Sequence, residues 1–244
     1  MRTALTIAGS DSGAGAGIQA DLKTFAALGV YGTCAITAVT AQNTLGVIAV
    51  APLSADLVTA QIEAVAADIA IHATKVGMLA TSAIVEAVVA AIEELDLPLV
   101  VVDPVMVSKG GQRLLDTDGI QALCVELLPL ARVVTPNLPE AEVLSGVRIR
   151  SHGDARDAAQ RIRDMGASAV VITGGHAAET DRGSAQTADG PAIEVVDLLL
   201  DGDTFYEFRT PRIDTPNTHG TGCTFASAVA AYLALGREIG RAHV

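Results

Sequence analysis

The run Asn217-Thr218-His219-Gly220-Thr221-Gly222-Cys223 places two glycines and a thiol where a loop gives way to a helix. Residues Thr224 to Leu233 are small or apolar and free of Pro and Gly, which predicts a buried helix. A helix start exposes unpaired N–H groups and roughly half a positive charge, so it can hold an anion. Glycines ahead of it let the backbone approach a phosphate oxygen with no Cβ in the way. The same field favours the thiolate of a first-turn cysteine, here Cys223. An anion cradle over Gly220, Thr221 and Gly222 and an activatable base thus fall within four residues. Taken alone, Gly-Thr-Gly-Cys is equally an ordinary turn before a helix.

Asp103, Asn137 and Glu140 supply oxygen ligands at the expected ends of neighbouring strands. That is the chemistry Mg²⁺ prefers, usually through retained waters, although each residue is singly also a cap or a surface acid. Lys109-Gly110-Gly111 follows Asp103, and a lysine beside glycines suits a lid over phosphate. From spacing alone a solvated loop lysine is the simpler reading. Gly174-Gly175-His176 after a strand is a second, less specific place for a phosphate to approach. The histidines show no metal-ligand spacing, and Cys34 and Cys124 lie in apolar segments as core residues.

The first loop, Gly9 to Gly17, does not fit a dinucleotide fingerprint. After Gly13 and Gly15 the third glycine should fall at Ile18, and no acidic residue ends the second strand. No Gly-x-x-x-x-Gly-Lys-Ser/Thr loop exists either, which excludes a P-loop enzyme. The loop can still wrap a small ligand, with Asp21 one turn into the next helix. Asp21 is otherwise a helix-start acid favoured by the dipole.

Strand-like and helix-period segments alternate and supply the positions these residues need. Strands are expected at 4–8, 33–40, 46–50, 75–78, 99–102, 132–135 and 169–172. Helices are expected from Ile18 to Leu28, from a Ser54 cap to Val65, and from Thr81 or Ser82 to Leu95. Further helices are expected over 118–128 and from a Ser151/Asp154 capping box to Met165. Ile193–Leu200 and Thr204–Phe208 flank Asp201-Gly202, a hairpin turn, and 183–190 reads as an exposed loop. The β-then-α rhythm predicts a mostly parallel sheet with helices on both faces, and ligands beyond the carboxyl ends of its strands.

The 244 residues suit one α/β domain, with no repeat or linker. Half are hydrophobic but only 3% aromatic, so Ala, Val, Leu and Ile must fill the core. The net charge of −12, from 16 basic and 28 acidic side chains, argues against a nucleic-acid or anionic-membrane surface. Three unrelated cysteines, no signal pattern and no membrane-length apolar run predict a soluble cytoplasmic protein.

In combination these motifs resemble the hydroxymethylpyrimidine/phosphomethylpyrimidine kinases of thiamine biosynthesis, within the ribokinase-like superfamily. The resemblance spans essentially the whole chain. It rests most on Gly17-Ile18-Gln19-Ala20-Asp21-Leu22-Lys23-Thr24-Phe25 and Thr218-His219-Gly220-Thr221-Gly222-Cys223. Thr40-Ala41-Gln42-Asn43-Thr44, Lys75-Val76-Gly77-Met78, Asp103-Pro104-Val105-Met106 and Thr135-Pro136-Asn137-Leu138-Pro139-Glu140 support it. It implies a three-layer αβα sandwich with a small β flap, and two ATP-dependent phosphorylations of one pyrimidine, to monophosphate and then diphosphate. By position, Ala16, Asp21, Gln42 and Val105 match residues that hold the aminopyrimidine. Asn137 and Glu140 match the motif that organises Mg²⁺ and phosphate, with Asp103 nearby. Gly220, Thr221 and Gly222 match the anion hole, Cys223 matches the general base, and the superfamily implies a homodimer.

Three positions depart from the family pattern. Thr173 stands where a phosphate-contacting Lys commonly precedes Gly-Gly-His, and Pro216 where Lys often precedes Asn-Thr-His-Gly. The chain stops at Val244, where a further helix and a Gly- and Pro-containing tail are expected. A pyridoxal kinase-like enzyme is the closest rival, although Asp is more usual there at the position of Cys223. A catalytically weak pyrimidine-binding paralogue is the rival of another class.

Overall fold

The computed structural model describes residues 1–108, 110–174, 194–213, 215 and 217–239. Nine strands form one sheet in the order β3-β2-β1-β4-β5-β6-β7-β8-β9. They are β1 (Thr3–Asp11), β2 (Tyr31–Gln42), β3 (Val47–Pro52), β4 (Ala73–Val76), β5 (Val100–Val102), β6 (Val133–Val134), β7 (Ala169–Ile172), β8 (Glu194–Asp201) and β9 (Thr204–Pro211). From β2 through β7 neighbouring strands pair in parallel, whereas β3, β8 and β9 are antiparallel additions at the two edges. The expected flap is the β2–β3 hairpin, continuous with the main sheet through pairs from Ala38↔Pro52 to Gln42↔Val47.

The central strands are apolar on both faces because helices cover both. Leu5, Ile7, Val100, Val102, Val134, Val170 and Ile172 point into one core. They pack there with α2 (Ala55–Asp68), α3 (Ser82–Glu94), α5 (Leu138–Ser145) and α6 (His152–Asp164). Their alternates Ala4, Val101, Val133, Ala169 and Val171 point into a second core, with α1 (Gly17–Ala27) and α7 (Thr221–Ala234). This is the period-two alternation of a doubly covered sheet, and it gives the expected three layers.

Local signals set the helix starts. Ser54 accepts from the Leu57 amide, Thr81 from Ile84 and Ser151 from Asp154. The helix expected over 118–128 instead stops as α4 (Thr117–Ala122), continuing as a π turn over Leu123–Leu127 and a 3₁₀ turn over Leu128–Leu130. Pro129 has no N–H to give an α-helical ladder, which accounts for the tightening at the end. Gly202, at φ +57, makes the expected hairpin turn between β8 and β9. The expected loop over 183–190 and residue Ile193 lie outside the described residues.

Candidate active site

The chain leaves β1 for β2 on one side and later crosses to β4 on the other, so the sheet reverses direction of growth at β1. Ligand clefts form beyond the carboxyl ends of strands at such a point. A cleft of about 400 Å³, including its open mouth, lies there. Its lining includes Ala16, Gln42, Val105 and Cys223, with Lys75 in its floor. A second hollow, lined by Gln42, Asn43, Ser108 and His219, opens beside it toward the tip of the β2–β3 hairpin.

One wall is the Gly-rich loop after β1. Asp11 is 2% exposed. It accepts the amides of Gly13 (2.8 Å), Gly15 (3.1 Å) and Ala16 (2.8 Å) and the ring Nε2 of His219 (2.9 Å). Burial alone would raise the Asp11 carboxyl, but the His219 bond and these amides hold it below its ordinary value. Asp11 therefore ties the first loop to the last one. At the junction Gly220 sits at φ +79 as the N-cap of α7, a conformation costly for any residue with a Cβ.

The opposite wall is the start of α7. Among the described residues no side chain caps it, and Thr221 and Gly222 are exposed. Its first turn faces Asp103, since a Cβ on Gly222 would stand 4.0 Å from Asp103 Oδ1. Cys223 is half-buried between them. Its chemistry differs from the sequence expectation of a thiolate. Burial pushes the thiol up to about 12; Lys75 opposes that shift, and the charges of Asp103 and Asp21 add to it. Half a helix charge is outweighed by removal from water beside two carboxylates.

Asp21 is likewise placed otherwise than expected. It is fully buried and absent from the cleft lining. Its carboxylate accepts from Thr6 (2.6 Å), Ser227 (2.6 Å) and Lys75 (3.1 Å), so protein donors already occupy it. An α1 position that reads as a first-turn acid points inward, because the second core lies on that face. Lys75 is the site residue that sequence reasoning missed. Burial alone would lower it, but Asp21, Cys223 and Asp103 together carry it above the ordinary lysine value. The available signal was a lysine inside the four-residue strand Ala73–Val76, where every side chain is buried.

Asp103 follows β5 and is 4% exposed. Its Oδ2 lies 3.6 Å from Lys75 Nζ and has no hydrogen-bond partner among the described residues. Burial raises its pKa, Lys75 lowers it and Asp21 raises it further. Glu140 and Asn137 form a reciprocal capping box at α5: Asn137 Oδ1 accepts the Glu140 amide (2.9 Å), and Glu140 Oε2 accepts the Asn137 amide (3.0 Å). Burial and the charge of Asp103 push Glu140 up to about 8. Two buried carboxyls, one raised by the charge of the other and one with an orphaned oxygen, are a set that a hard cation would relieve. The described residues hold no group of three or more His, Cys, Asp or Glu fit for a metal. That donor set matches Mg²⁺, which keeps waters and borrows phosphate oxygens, and not a closed protein cage. Thr173 bridges to Asn137, its amide donating to Pro136 O (3.0 Å), so these two expected phosphate positions lie side by side. Lys109, Gly175 and His176 lie outside the described residues, as does Pro216.

The family model for phosphomethylpyrimidine kinase matches residues 11–243. The chain is 48% identical to the hydroxymethylpyrimidine/phosphomethylpyrimidine kinase of Bacillus subtilis, over 98% of this chain and 84% of that one. It is also 45% identical to the pyridoxine kinase of the same organism, over 98% of this chain and 85% of that one. Among solved structures, the phosphomethylpyrimidine kinase of Clostridium difficile superposes with a TM-score of 0.83 at 41% identity, covering 100% of this chain and 95% of that one. A fold, a cleft and a helix start of this kind, matched over almost all of its length, place the chain in the phosphomethylpyrimidine kinase family.

Proposed function

We propose that the chain is a bifunctional, ATP-dependent kinase of thiamine diphosphate biosynthesis. It phosphorylates 4-amino-5-hydroxymethyl-2-methylpyrimidine and then its monophosphate, giving the diphosphate. The observation that carries this reading is the uncapped start of α7. There Gly220-Thr221-Gly222-Cys223 lies against Asp103, and Cys223 lines the cleft. The first-turn amides suit the charge that develops on a transferring phosphoryl group. Ala16, Gln42 and Val105 are the cleft residues offered to the pyrimidine, whereas Asp21 is held by Thr6, Ser227 and Lys75 and does not line the cleft.

Asp103 and Glu140 would hold Mg²⁺ through its waters, and the ion would screen the phosphate charges during transfer. Asn137 and Thr173, with Lys109, are offered to the phosphates of ATP. Cys223 is offered to the hydroxyl of the first substrate. A preformed thiolate is too costly at a pKa of about 12. At neutral pH it would require roughly 7 kcal/mol, more than the 10²–10⁴-fold a positioned base contributes. Cys223 instead serves as a relay: it takes the hydroxyl proton as its own S–H proton passes to the Asp103 carboxylate. Proton count is conserved and no free thiolate forms. In the second step the acceptor is a phosphate monoester, already largely ionised near neutral pH, and no relay is needed.

The pyridoxine kinase relative supports a second acceptor of similar shape, a hydroxymethylpyridine. A coupled kinase assay with the pyrimidine, its monophosphate and pyridoxal side by side tests both readings. Turnover of pyridoxal alone would replace the first reading by the second. Absence of turnover with all three would leave only a pyrimidine-binding paralogue. A homodimer is part of the proposal and is checked by light scattering.

A further inference from the structure

Lys75 is fully buried, yet it lies within ion-pair distance of two carboxylates. Its Nζ is 3.1 Å from Asp21 Oδ2 and 3.6 Å from Asp103 Oδ2. Asp21 is anchored in turn to β1 through Thr6 and to α7 through Ser227. Ser227 stands four residues beyond Cys223, on the same face of α7. One ammonium thus connects the rotational setting of α7 to the carboxylate that Cys223 faces. Room for it is built in, since a Cβ on Gly77 would lie 2.7 Å from Lys75 Nζ.

We propose that Lys75 is a positioning residue for phosphoryl transfer, its shared ammonium holding Asp103 and the Cys223 face of α7 in one fixed arrangement. The inference rests on the functional reading above, because it assigns Cys223 and Asp103 to the transfer. Its physical basis is charge balance. Two carboxylates and one ammonium leave one negative charge in excess in the interior, so the ammonium cannot leave either partner without a large desolvation cost. Among the described residues Asp103 Oδ2 has no hydrogen bond to orient it, and Lys75 is a cation within ion-pair distance of that oxygen. Placement errors of about 1 Å in such a site cost on the order of a hundredfold in rate.

Three variants test this, each assayed with the pyrimidine, with its monophosphate and with pyridoxal. Lys75→Met removes the ammonium and leaves two buried carboxylates, so it is expected to fold poorly. Lys75→Met/Asp21→Asn removes one charge of each sign and keeps the fold. Gly77→Ala keeps every charge and displaces Nζ. Both folded variants are expected to lose about ten- to a hundredfold in kcat with the alcohol, while KM for ATP stays within about twofold. Wild-type kcat in the double variant would overturn the proposal, since the ammonium would then serve only to neutralise Asp21. So would a rise in KM for the alcohol with kcat unchanged, which would make Lys75 a substrate-binding group and not a positioning one. If the wild-type protein turns over pyridoxal and not the pyrimidine, the reading of substrate fails, and the Lys75 comparison is made on pyridoxal.

Discussion

Gly220 packs its α carbon against Gly15 so tightly that a Cβ there would collide with the Gly15 carbonyl oxygen. The first and last loops of the chain therefore meet backbone to backbone, and the cleft closes between them. Gly220→Ala is expected to destabilise the fold by about 1–2 kcal/mol through its left-handed φ alone. The collision adds to this and separates Ala16 from α7. Urea denaturation and kcat measured on one preparation check it. A variant with both unchanged would show that the loops move apart freely.

Cys223→Ala should separate the two phosphorylations. Loss of about 10²–10⁴-fold is expected for the alcohol, and much of the monophosphate reaction should survive. Equal losses in both steps would make Cys223 a structural part of the helix start.

The free thiol of Cys223 should react slowly with iodoacetamide at pH 7–8, and its rate should keep climbing beyond pH 10. Labelling followed by peptide mass spectrometry gives the profile for this cysteine alone. A plateau near pH 7 would indicate a low-pKa thiolate and remove the need for a relay.

Asp21→Ala and Gln42→Ala should part company. Asp21 is the counter-ion of a buried lysine, and its removal is expected to cost about 3–5 kcal/mol of stability. Gln42 lines the cleft, so its removal should cost about 1–3 kcal/mol in substrate binding and raise KM with little change in melting temperature. A thermally normal Asp21→Ala protein would contradict the buried pairing.

Glu140 gives a pH test of the proposed metal site. Its folded pKa, about 8, is above its ordinary value of 4.5, so the folded state holds its proton more tightly than the unfolded one. This stability is fully present below about pH 4.5 and is lost as pH rises toward 8. Without Mg²⁺ the melting temperature should fall over that window, and Glu140→Gln should flatten part of the fall. Adding Mg²⁺ at pH 8 should raise the wild-type melting temperature more than that of the variant. Identical responses would return Glu140 to helix capping only.

Much of the framework is legible from local signals. Ser54 and Thr81 cap helices because a side-chain oxygen beside a free amide needs only short-range geometry. Asp201-Gly202 turns a hairpin for the same kind of reason. What stays hidden depends on distant partners. Asp21 and Lys75 are 54 positions apart and Asp11 and His219 are 208 apart, so neither pair leaves a local trace. The Cys223 thiol misleads because the helix field is local and readable, whereas burial beside Asp103 and Asp21 is not.

The reciprocal bond between Asn137 and Glu140 also fixes which way the asparagine carboxamide is turned. An amide N–H must meet an oxygen, so Oδ1 faces the Glu140 nitrogen at 2.9 Å. The Nδ2 group is what remains to be offered, and it carries only donors. A cation cannot be bound by that end of the side chain, whereas a phosphoryl oxygen can. Glu140, one turn away, keeps Oε1 outside the cap, and once its raised proton is displaced that oxygen is an acceptor. A single helix start would thus present opposite polarities to the two halves of the proposed metal–nucleotide pair once Glu140 is ionised, and turning the amide over would require breaking the helix cap.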